Sequence, residues 1–458
     1  MNRALVIYEE NTDMLTIEDI IAATGGKAIY SNSNAFTGVS IDSRTIREGE
    51  LFIALKGSRF DGHNFLNEAL DKGSGALVNF PPVEPVKGKT IIYVDDTLKA
   101  LQGIARYLRL RRDIPVIGIT GSNGKTTTKE LIASILGTKY RVLKNIANLN
   151  NHIGLPLSLT RINDTDEVVV LEMGASGPGE IKDLCEIAVP NYGVLTNISQ
   201  AHLEGFKDLE TIRKTKLELL DYISAAVVNA DDPFMTEGIR TDRFKGRLVR
   251  YGIKNSAEIH ATDIRLYEKG SIFNLHIGEN GSIEVHPKIS GMFNIYNLLA
   301  AASVGYLFNI GLLNIKNAID SFTGLPMRLE FTELNGVKII NDVYNANPAS
   351  MEEAIKELVR VKKGRIIAVL GDMLELGSHG EEAHRRLGRL MSGFPIDIFI
   401  AVGPLMSFAA SEFNESVYKL QSAVEAGKLL RDICKKGDTV LIKGSRGMNM
   451  ERVLADGP

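Results

Sequence analysis

The stretch that decides the fold is VIGITGSNGKTT, residues 116–127. Residues 116–120 are apolar or small, as in a buried strand of a parallel sheet. A glycine-containing turn at 121–124 and Lys125 follow, and a segment with helical character then begins at Thr126 and is ended by Gly137. A buried strand, a glycine-rich turn and a Lys-Thr pair at the start of a helix are typical of a loop that binds the phosphates of a nucleotide.

Backbone N–H groups and the positive end of the helix dipole bind phosphate oxygens in such a loop. Lys125 is expected to reach the terminal phosphates, and the Thr126 hydroxyl is expected to meet Mg²⁺. Ile119 stands where the strict Gly-x4-Gly-Lys pattern has its first glycine, so a plain turn with a chance Lys-Thr pair is the alternative. The residues assigned to ATP binding here are Gly121, Ser122, Asn123, Gly124, Lys125, Thr126 and Thr127.

The composition narrows the class of protein. The chain has 458 residues, which is too long for one hydrophobic core and predicts two to three domains. Hydrophobic residues make up 44% and charged residues 24%, values that exclude disordered and fibrous proteins. The formal net charge of -3 favours neither a nucleic-acid partner nor an anionic membrane surface. The two cysteines, Cys185 and Cys434, lack metal spacing and suit a reducing compartment.

Two stretches predict a cytoplasmic location. Residues 1–13 hold a short apolar run followed at once by acidic residues, which is too short and too acidic for a signal peptide. The longest apolar stretch, Leu298 to Phe308, is well below the roughly 18 residues needed to span a bilayer. No membrane insertion is therefore expected.

Strand-like and helix-like segments alternate along the chain, a pattern typical of α/β layers with parallel sheets. Breaks at 113–115 and 324–326 contain prolines, which disfavour a helix in the preceding residue. They divide the chain into a mixed α/β N-terminal block (1–111), a central block that carries the phosphate loop (112–324) and a C-terminal block (325–458).

Each block has its own predicted elements. Outside the C-terminal block, strands are predicted at 51–55, 90–94, 116–120, 168–171, 193–196 and 226–228 and within the strand-rich stretch 256–290, and helices at 98–109, 126–136, 210–223 and, as a pair, 295–322. In the C-terminal block, strands at 338–342, 366–371, 398–403, 417–420 and 440–443 each precede a helical stretch. That alternation predicts a Rossmann-like domain, although the block carries no Gly-x-Gly-x-x-Gly motif.

Two side chains follow strands of the central block. Glu172 ends the apolar strand 168–171, and His202 follows the strand 193–196. Because the carboxyl ends of parallel strands meet at one edge of a sheet, both side chains are expected in the ligand crevice beside the phosphate loop, where a carboxylate suits Mg²⁺. The alternatives are a strand-end charge in solvent for Glu172 and a structural or solvated loop histidine for His202.

Helical spacing places Lys216 on an apolar face. It lies four residues after Ile212 and four before Leu220, on the side that the helix 210–223 turns to the interior. A lysine that faces the interior loses hydration, which favours its neutral amine. A neutral amine can react with CO₂ to form a carbamate, an anionic oxygen ligand for a second Mg²⁺. The alternative is a lysine that extends past the apolar face to solvent.

Three further polar residues stand at boundaries. Asn294 and Asn297 open a helix after a glycine, and capping alone explains one of them. Arg328 follows the proline boundary, where a guanidinium is well placed to reach from one domain to phosphates held by another. A solvated linker arginine is the alternative.

Ordered stretches along the whole chain resemble the Mur ligase family. They are DSR (42–44), ALKG (54–57), TGSNGKTT (120–127), NLNN (148–151), EMGA (172–175), AHLEGF (201–206), residues 294–297, Arg328, NDVYNANP (341–348), GDMLELG (371–377) and KGSRGM (443–448). The last three are especially similar to the branch that adds D-alanyl-D-alanine, and the Asp-Asn-Pro-Arg motif of the diaminopimelate-adding branch is absent. One residue departs from the pattern: Ala147 stands where a glycine usually precedes the Asn-rich turn, so the backbone geometry of that turn is open.

The resemblance implies three domains, namely a uridine-nucleotide-binding N-terminal domain, a central ATPase with a parallel sheet and a Rossmann-like C-terminal domain. It implies that Ser43 and Arg44 contact the UDP-sugar, that Asn148, Asn150 and Asn151 lie near the sugar-peptide, that Thr126 and Glu172 hold one Mg²⁺, and that Glu172, His202 and carbamylated Lys216 hold the other. It also implies that Asn294 binds adenine, that Arg328 and Asp342 contact the phosphates and the ribose, and that Tyr344, Asn345 and Asn347 lie at the closing domain interface. Lys125, Lys216, His202 and Arg328 are the expected catalytic residues.

The activity implied by the resemblance is ATP-dependent, ADP-forming amide ligation in peptidoglycan synthesis. The expected substrates are UDP-N-acetylmuramoyl-tripeptide and D-alanyl-D-alanine, with diaminopimelate and lysine both open as the third residue of the tripeptide, and the expected form is a monomer. The peptide carboxylate would be activated as an acyl phosphate before the amine attacks. The alternatives are another amino-acid-adding ligase of the family, a P-loop NTPase or kinase, which leaves Lys216 and His202 idle, and a non-catalytic nucleotide-sensing scaffold.

Overall fold

The computed structural model describes residues 14–57, 60–80, 86–239 and 244–455. Residues 1–13, which the sequence predicts not to be a signal peptide, lie outside the described residues. Three large sheets with helices on their faces account for most of the fold, so the predicted α/β class is confirmed. Among the described residues, no helix has both the length and the apolar character needed to cross a membrane.

The N-terminal part is a five-stranded sheet covered by helices. Its elements are β1 (Leu15–Thr16), α1 (Ile17–Thr24), β2 (Lys27–Tyr30), β3 (Ala35–Phe36), β4 (Gly38–Ser40), β5 (Glu50–Ile53), α2 (Leu66–Lys72), β6 (Gly75–Val78), β7 (Thr90–Tyr93) and α3 (Thr97–Leu110). The strand order is β2-β7-β6-β5-β4, antiparallel only between β2 and β7, while β1 and β3 form a separate ribbon. Helix α3 ties this part to the next, because Arg109 Nε donates to the carbonyl of Ala188 at 3.1 Å.

The central part is built on a nine-stranded sheet. Its elements are β8 (Val116–Thr120), α4 (Lys125–Leu136), β9 (Val142–Lys144), α5 (Gly154–Leu159), β10 (Val168–Glu172), α6 (Glu180–Ala188), β11 (Tyr192–Leu195), α7 (Leu203–Phe206), α8 (Leu209–Leu217), β12 (Ala225–Asn229), α9 (Pro233–Gly238), β13 (Arg247–Gly252), β14 (Ile259–Tyr267), β15 (Gly270–Ile277), β16 (Ser282–Val285), α10 (Met292–Leu307) and α11 (Leu312–Ser321). The order is β16-β15-β14-β13-β12-β11-β8-β10-β9, parallel from β9 to β14. Because β8 lies between β10 and β11, the loops that follow these three strands meet at one edge.

The C-terminal part is a six-stranded sheet with helices on both faces. Its elements are β17 (Glu330–Leu334), β18 (Val337–Asp342), α12 (Pro348–Arg360), β19 (Ile366–Gly371), α13 (Gly380–Met391), β20 (Ile398–Val402), α14 (Met406–Ala410), β21 (Ser416–Leu420), α15 (Ala423–Ile433) and β22 (Thr439–Lys443). The order is β17-β18-β22-β19-β20-β21, antiparallel only between β17 and β18. Buried Met450 lies against the carboxyl ends of β19 and β22, where a Cβ on Gly371 would come within 2.7 Å of its sulfur.

Several elements of the structure are absent from or differ from the sequence prediction, and two of these differences are instructive. The helix predicted over 210–223 ends at Leu217, and a 3₁₀ helix, Glu218–Tyr222, replaces its last turns. The Glu218 carboxylate accepts bonds from the backbone N–H groups of Gly179 and Lys182, which ties the tightened turn to the start of α6. Edge strand β17 was not predicted, because its side chains are exposed or half-buried and supply no apolar pattern.

Candidate active site

The phosphate loop lies between β8 and α4 and needs glycine at two positions. Gly121 and Gly124 have φ of 144° and 81°, backbone conformations that disfavour other residues. A Cβ on Gly121 would lie 2.0 Å from the Thr196 hydroxyl oxygen, and one on Gly124 would lie 2.3 Å from Asn297 Oδ1. The loop therefore packs directly on the strand end of β11 and on helix α10.

Lys125 folds back over the loop. Its ammonium donates to the carbonyls of Gly121 at 2.8 Å and Ser122 at 3.2 Å. Burial lowers the pKa of Lys125, and the negative charge of Glu172 acts in the opposite direction. Lys125 opens α4, with Thr126 and Thr127 in the first turn, so the cation stands at the positive end of the helix dipole, where anions bind.

The segment after β11 supports the loop from behind. Asn123 N donates to Asn197 Oδ1 at 3.0 Å, and Asn123 Nδ2 donates to the Ser199 hydroxyl at 3.0 Å. The Ser122 hydroxyl donates to the carbonyl of Ser199 at 2.8 Å. Sequence reasoning did not single out Asn197 or Ser199, although both follow a central strand, the same signal that identified His202.

Glu172 lies at the end of β10 with 3% of its surface exposed. Its Oε1 accepts a hydrogen bond from Asn150 Nδ2 at 2.8 Å. Its Oε2 is buried and has no hydrogen-bond donor among the described residues. A buried carboxylate oxygen without a donor is costly unless a cation or water meets it, so this atom fits the predicted magnesium ligand.

The Asn-rich turn holds Asn150 beside Glu172. Ala147 adopts φ 49°, a left-handed conformation that glycine adopts more easily, which explains why a glycine is usual there and shows that alanine keeps the turn. Asn151 Oδ1 accepts the backbone N–H of Gly154, the first residue of α5, at 2.8 Å. Asn148 contributes its carbonyl to the N–H of Asn150 at 2.8 Å.

The predicted interior position of Lys216 is confirmed: 2% of the residue is exposed, and it does not extend to solvent. Its Nζ lies 3.4 Å from the carbonyl of Ala175 and 5.3 Å from the ring centre of Phe206. Burial, assisted by the positive charge of Lys125, lowers the pKa of Lys216 to about 7. The amine is therefore partly neutral at physiological pH, the form that carbamate formation requires.

Within the described ranges, no three His, Cys, Asp or Glu side chains converge on one point. The ligand set expected from the sequence, Glu172, His202 and Lys216, therefore depends on a carbamate oxygen as one of its ligands. The ligand role of Lys216 stays a prediction, and its environment fits that role.

His202 stands at the start of α7 with φ 52°. Its Nδ1 contacts Glu375 Oε2, a residue of the C-terminal part that sequence reasoning did not assign to the site. The backbone N–H of Glu204 also donates to the carbonyl of Glu375 at 3.0 Å. The loop that carries His202 and Glu204 is therefore in direct contact with the C-terminal part.

Arg328 reaches the phosphate loop, as the domain boundary predicted. Its Nη2 donates to the Thr126 hydroxyl at 2.8 Å, and its guanidinium carbon lies 3.9 Å from the ring centre of Tyr344. Asn347 Nδ2 donates to Asn123 Oδ1 at 2.7 Å, while Asn347 Oδ1 caps α12. Side chains from the C-terminal part thus contact the phosphate loop at two of its residues.

The Asp342 carboxylate is engaged within the C-terminal part. Its Oδ2 accepts from Lys443 Nζ at 2.5 Å, and its Oδ1 accepts the N–H of Leu329, next to Arg328, at 3.1 Å. Lys443 also donates to the carbonyl of Asn345 at 2.9 Å. Asp342 therefore orients the arginine segment, and its contact with a ribose stays a prediction.

The two asparagines of α10 form a buried pair. Asn297 Nδ2 donates to Asn294 Oδ1 at 3.1 Å, and Asn294 Nδ2 donates to the carbonyl of Ser290 at 2.8 Å. Asn297 Oδ1 accepts from the Thr128 hydroxyl at 3.3 Å, directly under the phosphate loop. Capping does not explain either side chain, and adenine binding by Asn294 stays a prediction.

Ser43 and Arg44 lie in the N-terminal part, on the loop after β4. The Ser43 hydroxyl donates to Glu68 Oε2 at 3.0 Å. Arg44 is largely exposed and pairs with Asp42 at 2.7 Å. These contacts lie within the N-terminal part, and the role of both residues in binding the UDP-sugar stays a prediction.

Family models match three consecutive stretches of the chain. "Mur ligase family, catalytic domain" matches residues 35–109, "Mur ligase middle domain" matches residues 119–305, and "Mur ligase, glutamate ligase domain" matches residues 327–446. The UDP-N-acetylmuramoyl-tripeptide--D-alanyl-D-alanine ligase of Bacillus subtilis is 36% identical and covers 92% of each chain. The enzyme of the same name from Escherichia coli is 34% identical, with 91% of this chain and 92% of that one covered.

Solved structures agree with this assignment. A crystal structure of MurF from Acinetobacter baumannii superposes with a TM-score of 0.90 at 31% identity, covering 97% of this chain and 98% of that one. MurF ligase from Thermotoga maritima in complex with ADP gives a TM-score of 0.80 at 32% identity, covering 91% and 96%. With the three family models and relatives above 30% identity over nine-tenths of its length, this chain belongs to the Mur ligase family.

Proposed function

We propose that the chain is an ATP-dependent, ADP-forming ligase that joins D-alanyl-D-alanine to UDP-N-acetylmuramoyl-tripeptide, which yields the pentapeptide precursor of peptidoglycan. Relatives of that name align with nearly the whole chain. The observation that carries the proposal is the contact of Arg328 with Thr126, because it brings a second domain onto a nucleotide-phosphate loop. A ligase needs such an arrangement, since it must hold a nucleotide and two further substrates together.

The reaction needs an activated carboxylate, since a carboxylate itself is a poor electrophile. The terminal carboxylate of the tripeptide attacks the γ-phosphorus of ATP, and an acyl phosphate and ADP form. The amine of D-alanyl-D-alanine then attacks the acyl carbon, and phosphate leaves. Lys125 and Arg328 stabilise the charge that gathers on the phosphate oxygens, one from each domain.

Two magnesium positions are proposed from the donor set. Thr126 and Glu172 would hold one ion, since Glu172 Oε2 is buried without a donor in the described structure. Glu172, His202 and Lys216 as a carbamate would hold the other. When bound, Mg²⁺ would neutralise part of the negative charge on the phosphates.

The remaining assignments extend the same proposal. We place the uridine nucleotide in 1–111 with Ser43 and Arg44, ATP in 112–324, and the incoming dipeptide against 325–458. The residues proposed to contact the nucleotide beyond the phosphate loop are Asn294 and Asp342; those proposed to face the peptide substrates are Asn148, Asn150, Asn151, Tyr344, Asn345 and Asn347. The three matched family models fall within these blocks, which supports the division.

We further propose that the enzyme acts as a monomer in the cytoplasm. One chain supplies residues from its central and C-terminal parts to the same phosphate loop, so a second copy is not needed to complete that loop. A cytoplasmic location suits an enzyme that draws on ATP and on a nucleotide-linked sugar.

Phosphate release tests the proposed function. Purified protein is given Mg-ATP with UDP-N-acetylmuramoyl-tripeptide, with D-alanyl-D-alanine, or with both, and the tripeptide is supplied with either diaminopimelate or lysine in third place. Sustained release only with both substrates, together with the pentapeptide product in the mass spectrum, is the expected result. Release without the dipeptide would favour an NTPase, and no release with either tripeptide would contradict ligase activity.

A further inference from the structure

The contact between His202 and Glu375 links a loop of the central part to a loop of the C-terminal part. His202 follows β11 of the central part, whereas Glu375 follows β19 of the C-terminal part. The Nδ1 atom of His202 meets Glu375 Oε2. This carboxylate was not among the residues assigned to the site from the sequence.

Three contacts join the two loops. Besides the side-chain contact, the N–H of Glu204 donates to the carbonyl of Glu375 at 3.0 Å. Gly377 lies against Glu204 closely enough that a Cβ on the glycine would be 3.2 Å from the Glu204 α-carbon. The loops thus fit together through backbone atoms as well as side chains, and the contact is not a single chance ion pair.

Both loops have backbone conformations that aim these groups at each other. His202 and Glu375 have φ of 52° and 63°, and Gly377 has φ of 52°. Non-glycine residues adopt such values rarely and at some free-energy cost, which the surrounding structure must offset. Left-handed backbone on both sides of one contact indicates that its geometry is specified by the fold.

Buried groups of the C-terminal part fix the Glu375 loop from below. The N–H of Met373 donates to Nε2 of fully buried His384 at 3.0 Å, and the N–H of Leu374 donates to the Ser445 hydroxyl at 2.8 Å. Ser445 N in turn donates to the carbonyl of Asp372 at 3.1 Å. The Glu375 carboxylate therefore moves with the C-terminal domain as a whole.

A carboxylate accepts hydrogen bonds and does not donate them, so its histidine partner carries the proton on Nδ1. In the neutral imidazole, Nε2 of His202 is then left with a free lone pair, the form that binds a metal ion. Without this partner, a neutral imidazole in water prefers the opposite tautomer, with the proton on Nε2. The contact thus decides which ring nitrogen is available.

We propose that Glu375 is a positioning residue that selects the metal-binding tautomer of His202 and so couples formation of the metal site to docking of the C-terminal domain. This inference rests on the proposed function, because it takes His202 as a metal ligand. Glu375 acts through the histidine and not on the substrate.

The tautomer is read directly by ¹⁵N NMR of histidine-labelled protein, with neither substrate nor metal present and at mildly alkaline pH. The chain has eight histidines, and a His202→Gln variant assigns the relevant signals. In the unmodified protein, Nδ1 should show the shift of a protonated ring nitrogen and Nε2 that of a bare one. Glu375→Gln should keep this pattern, since the amide oxygen also accepts from Nδ1–H.

Two variants remove the acceptor in different backbone contexts. Glu375→Ala keeps a side chain at positive φ, and Glu375→Gly relieves that strain, so a change seen in both belongs to the lost carboxylate. Both should shift His202 towards the Nε2–H tautomer. The control is Glu382→Ala, which removes an exposed glutamate that pairs with Arg389 on α13 of the same domain.

Metal affinity gives a second measurement. With Mn²⁺ and a non-hydrolysable ATP analogue, Glu375→Ala and Glu375→Gly should weaken Mn²⁺ binding about 10–100-fold, the range seen when a partner of a ligating histidine is lost. Glu375→Gln and Glu382→Ala should bind as the unmodified protein does. An Nε2–H tautomer in the unmodified protein, or an unchanged tautomer in both acceptor-free variants, would overturn the proposal, while the ligase assay on the unmodified protein reports separately on the proposed function.

Discussion

Lys216 keeps 2% of its surface exposed and lies over the face of Phe206. Loss of hydration is the largest reason that its pKa falls to about 7, and repulsion by Lys125 adds to the effect. The protonated fraction dominates below that pH and the neutral amine dominates above it. Any chemistry that uses the amine as a nucleophile towards CO₂ must therefore strengthen as the pH rises through about 7.

This pH dependence predicts a CO₂ adduct on Lys216. In bicarbonate labelled with ¹³C, the native protein should show a carbamate signal that grows as the pH rises through about 7. Lys216→Ala should lose both the signal and turnover, and small organic acids should restore part of the turnover. Lys214→Ala, on the exposed side of the same helix, is the control and should keep the adduct. Full activity in Lys216→Ala would contradict a carbamate role.

Arg328 gives a second prediction at the residue scale. Its guanidinium donates to Thr126 and lies over the ring of Tyr344, so it is held in place before the phosphates develop charge. Arg328→Ala should lower kcat by about 10²–10³-fold, as for the loss of one preorganised donor. Arg328→Lys should recover only part of this, since an ammonium lacks the planar fork. Steady-state phosphate release measures both variants, and a normal kcat in Arg328→Ala would remove the arginine from the mechanism.

At the scale of elements, the turn from β8 into α4 combines a positive φ with close packing. Gly124 is the residue before the helix and has φ 81°, and the space where a Cβ would stand is already filled by Asn297 Oδ1. Gly179 precedes α6 with the same φ of 81°, but nothing lies within 4 Å of its Cβ position. Substitutions at these two glycines therefore distinguish the effect of backbone strain, which both share, from the effect of steric overlap, which only Gly124 has.

Gly124→Ala should abolish detectable ATP-analogue binding, because the added carbon must displace Asn297 from beneath the loop. Gly179→Ala should leave binding close to normal and show only the loss of stability that a positive φ brings, roughly 1 kcal/mol. Calorimetric titration with the analogue and thermal unfolding measure the two effects. Equal loss of binding in both variants would mean that backbone strain, and not the overlap with Asn297, is responsible.

Much of the element pattern could be predicted from the sequence. Strand 366–371 was predicted with the bounds that the structure has, because a short apolar run between polar turns has few other interpretations. The change from α8 to a 3₁₀ helix could not be predicted, since it depends on Glu218 meeting the N–H groups of Gly179 and Lys182, far away in sequence. Periodicity reports which face is buried, and it does not report what the buried face meets.

The candidate site shows the same limit. Glu172 and Lys216 could be identified because a strand end and a helix face are local signals. Glu375 could not be identified from the sequence, because the reason to assign it is its contact with His202. That contact depends on how two domains dock. Ala147 is an intermediate case: its departure from the family pattern was visible, and the left-handed φ of 49° gives the physical reason for the usual glycine.

At the scale of the whole molecule, the turn between β14 and β15 is bound by side chains of the C-terminal part. The Glu268 carboxylate lies 2.9 Å from Lys338 Nζ and 3.3 Å from Lys363 Nζ. Arg360 Nη2 donates to the carbonyl of Tyr267 at 2.8 Å and to the Ser290 hydroxyl at 2.7 Å. These contacts hold the domain at a place distant from both the phosphate loop and the contact between His202 and Glu375 in sequence, so they define a further point of attachment.

Removing the acidic group at this attachment should loosen the docked domain. Glu268→Ala should increase hydrogen exchange at Tyr267 and the residues around it and should lower turnover less than tenfold, since the phosphate contacts remain. The bond from Lys338 lowers the pKa of Glu268, so the attachment should be intact at neutral pH and weaken on acidification, as the carboxylate is protonated. Glu279→Ala, in the exposed turn that follows β15, should change neither measurement.

Met450 fills space at the carboxyl ends of two strands of the C-terminal sheet. In open α/β sheets the crevice at the carboxyl ends of the strands is the usual place for a ligand. Here the Met450 side chain occupies part of that edge, because its thioether lies against the backbone of Gly371 and Gly444 at the carboxyl ends of β19 and β22. At these two strand ends a side chain of the sheet's own domain stands where a Rossmann-type fold would admit a ligand, and the C-terminal part instead presents Arg328 and Asn347 to the phosphate loop of the central part.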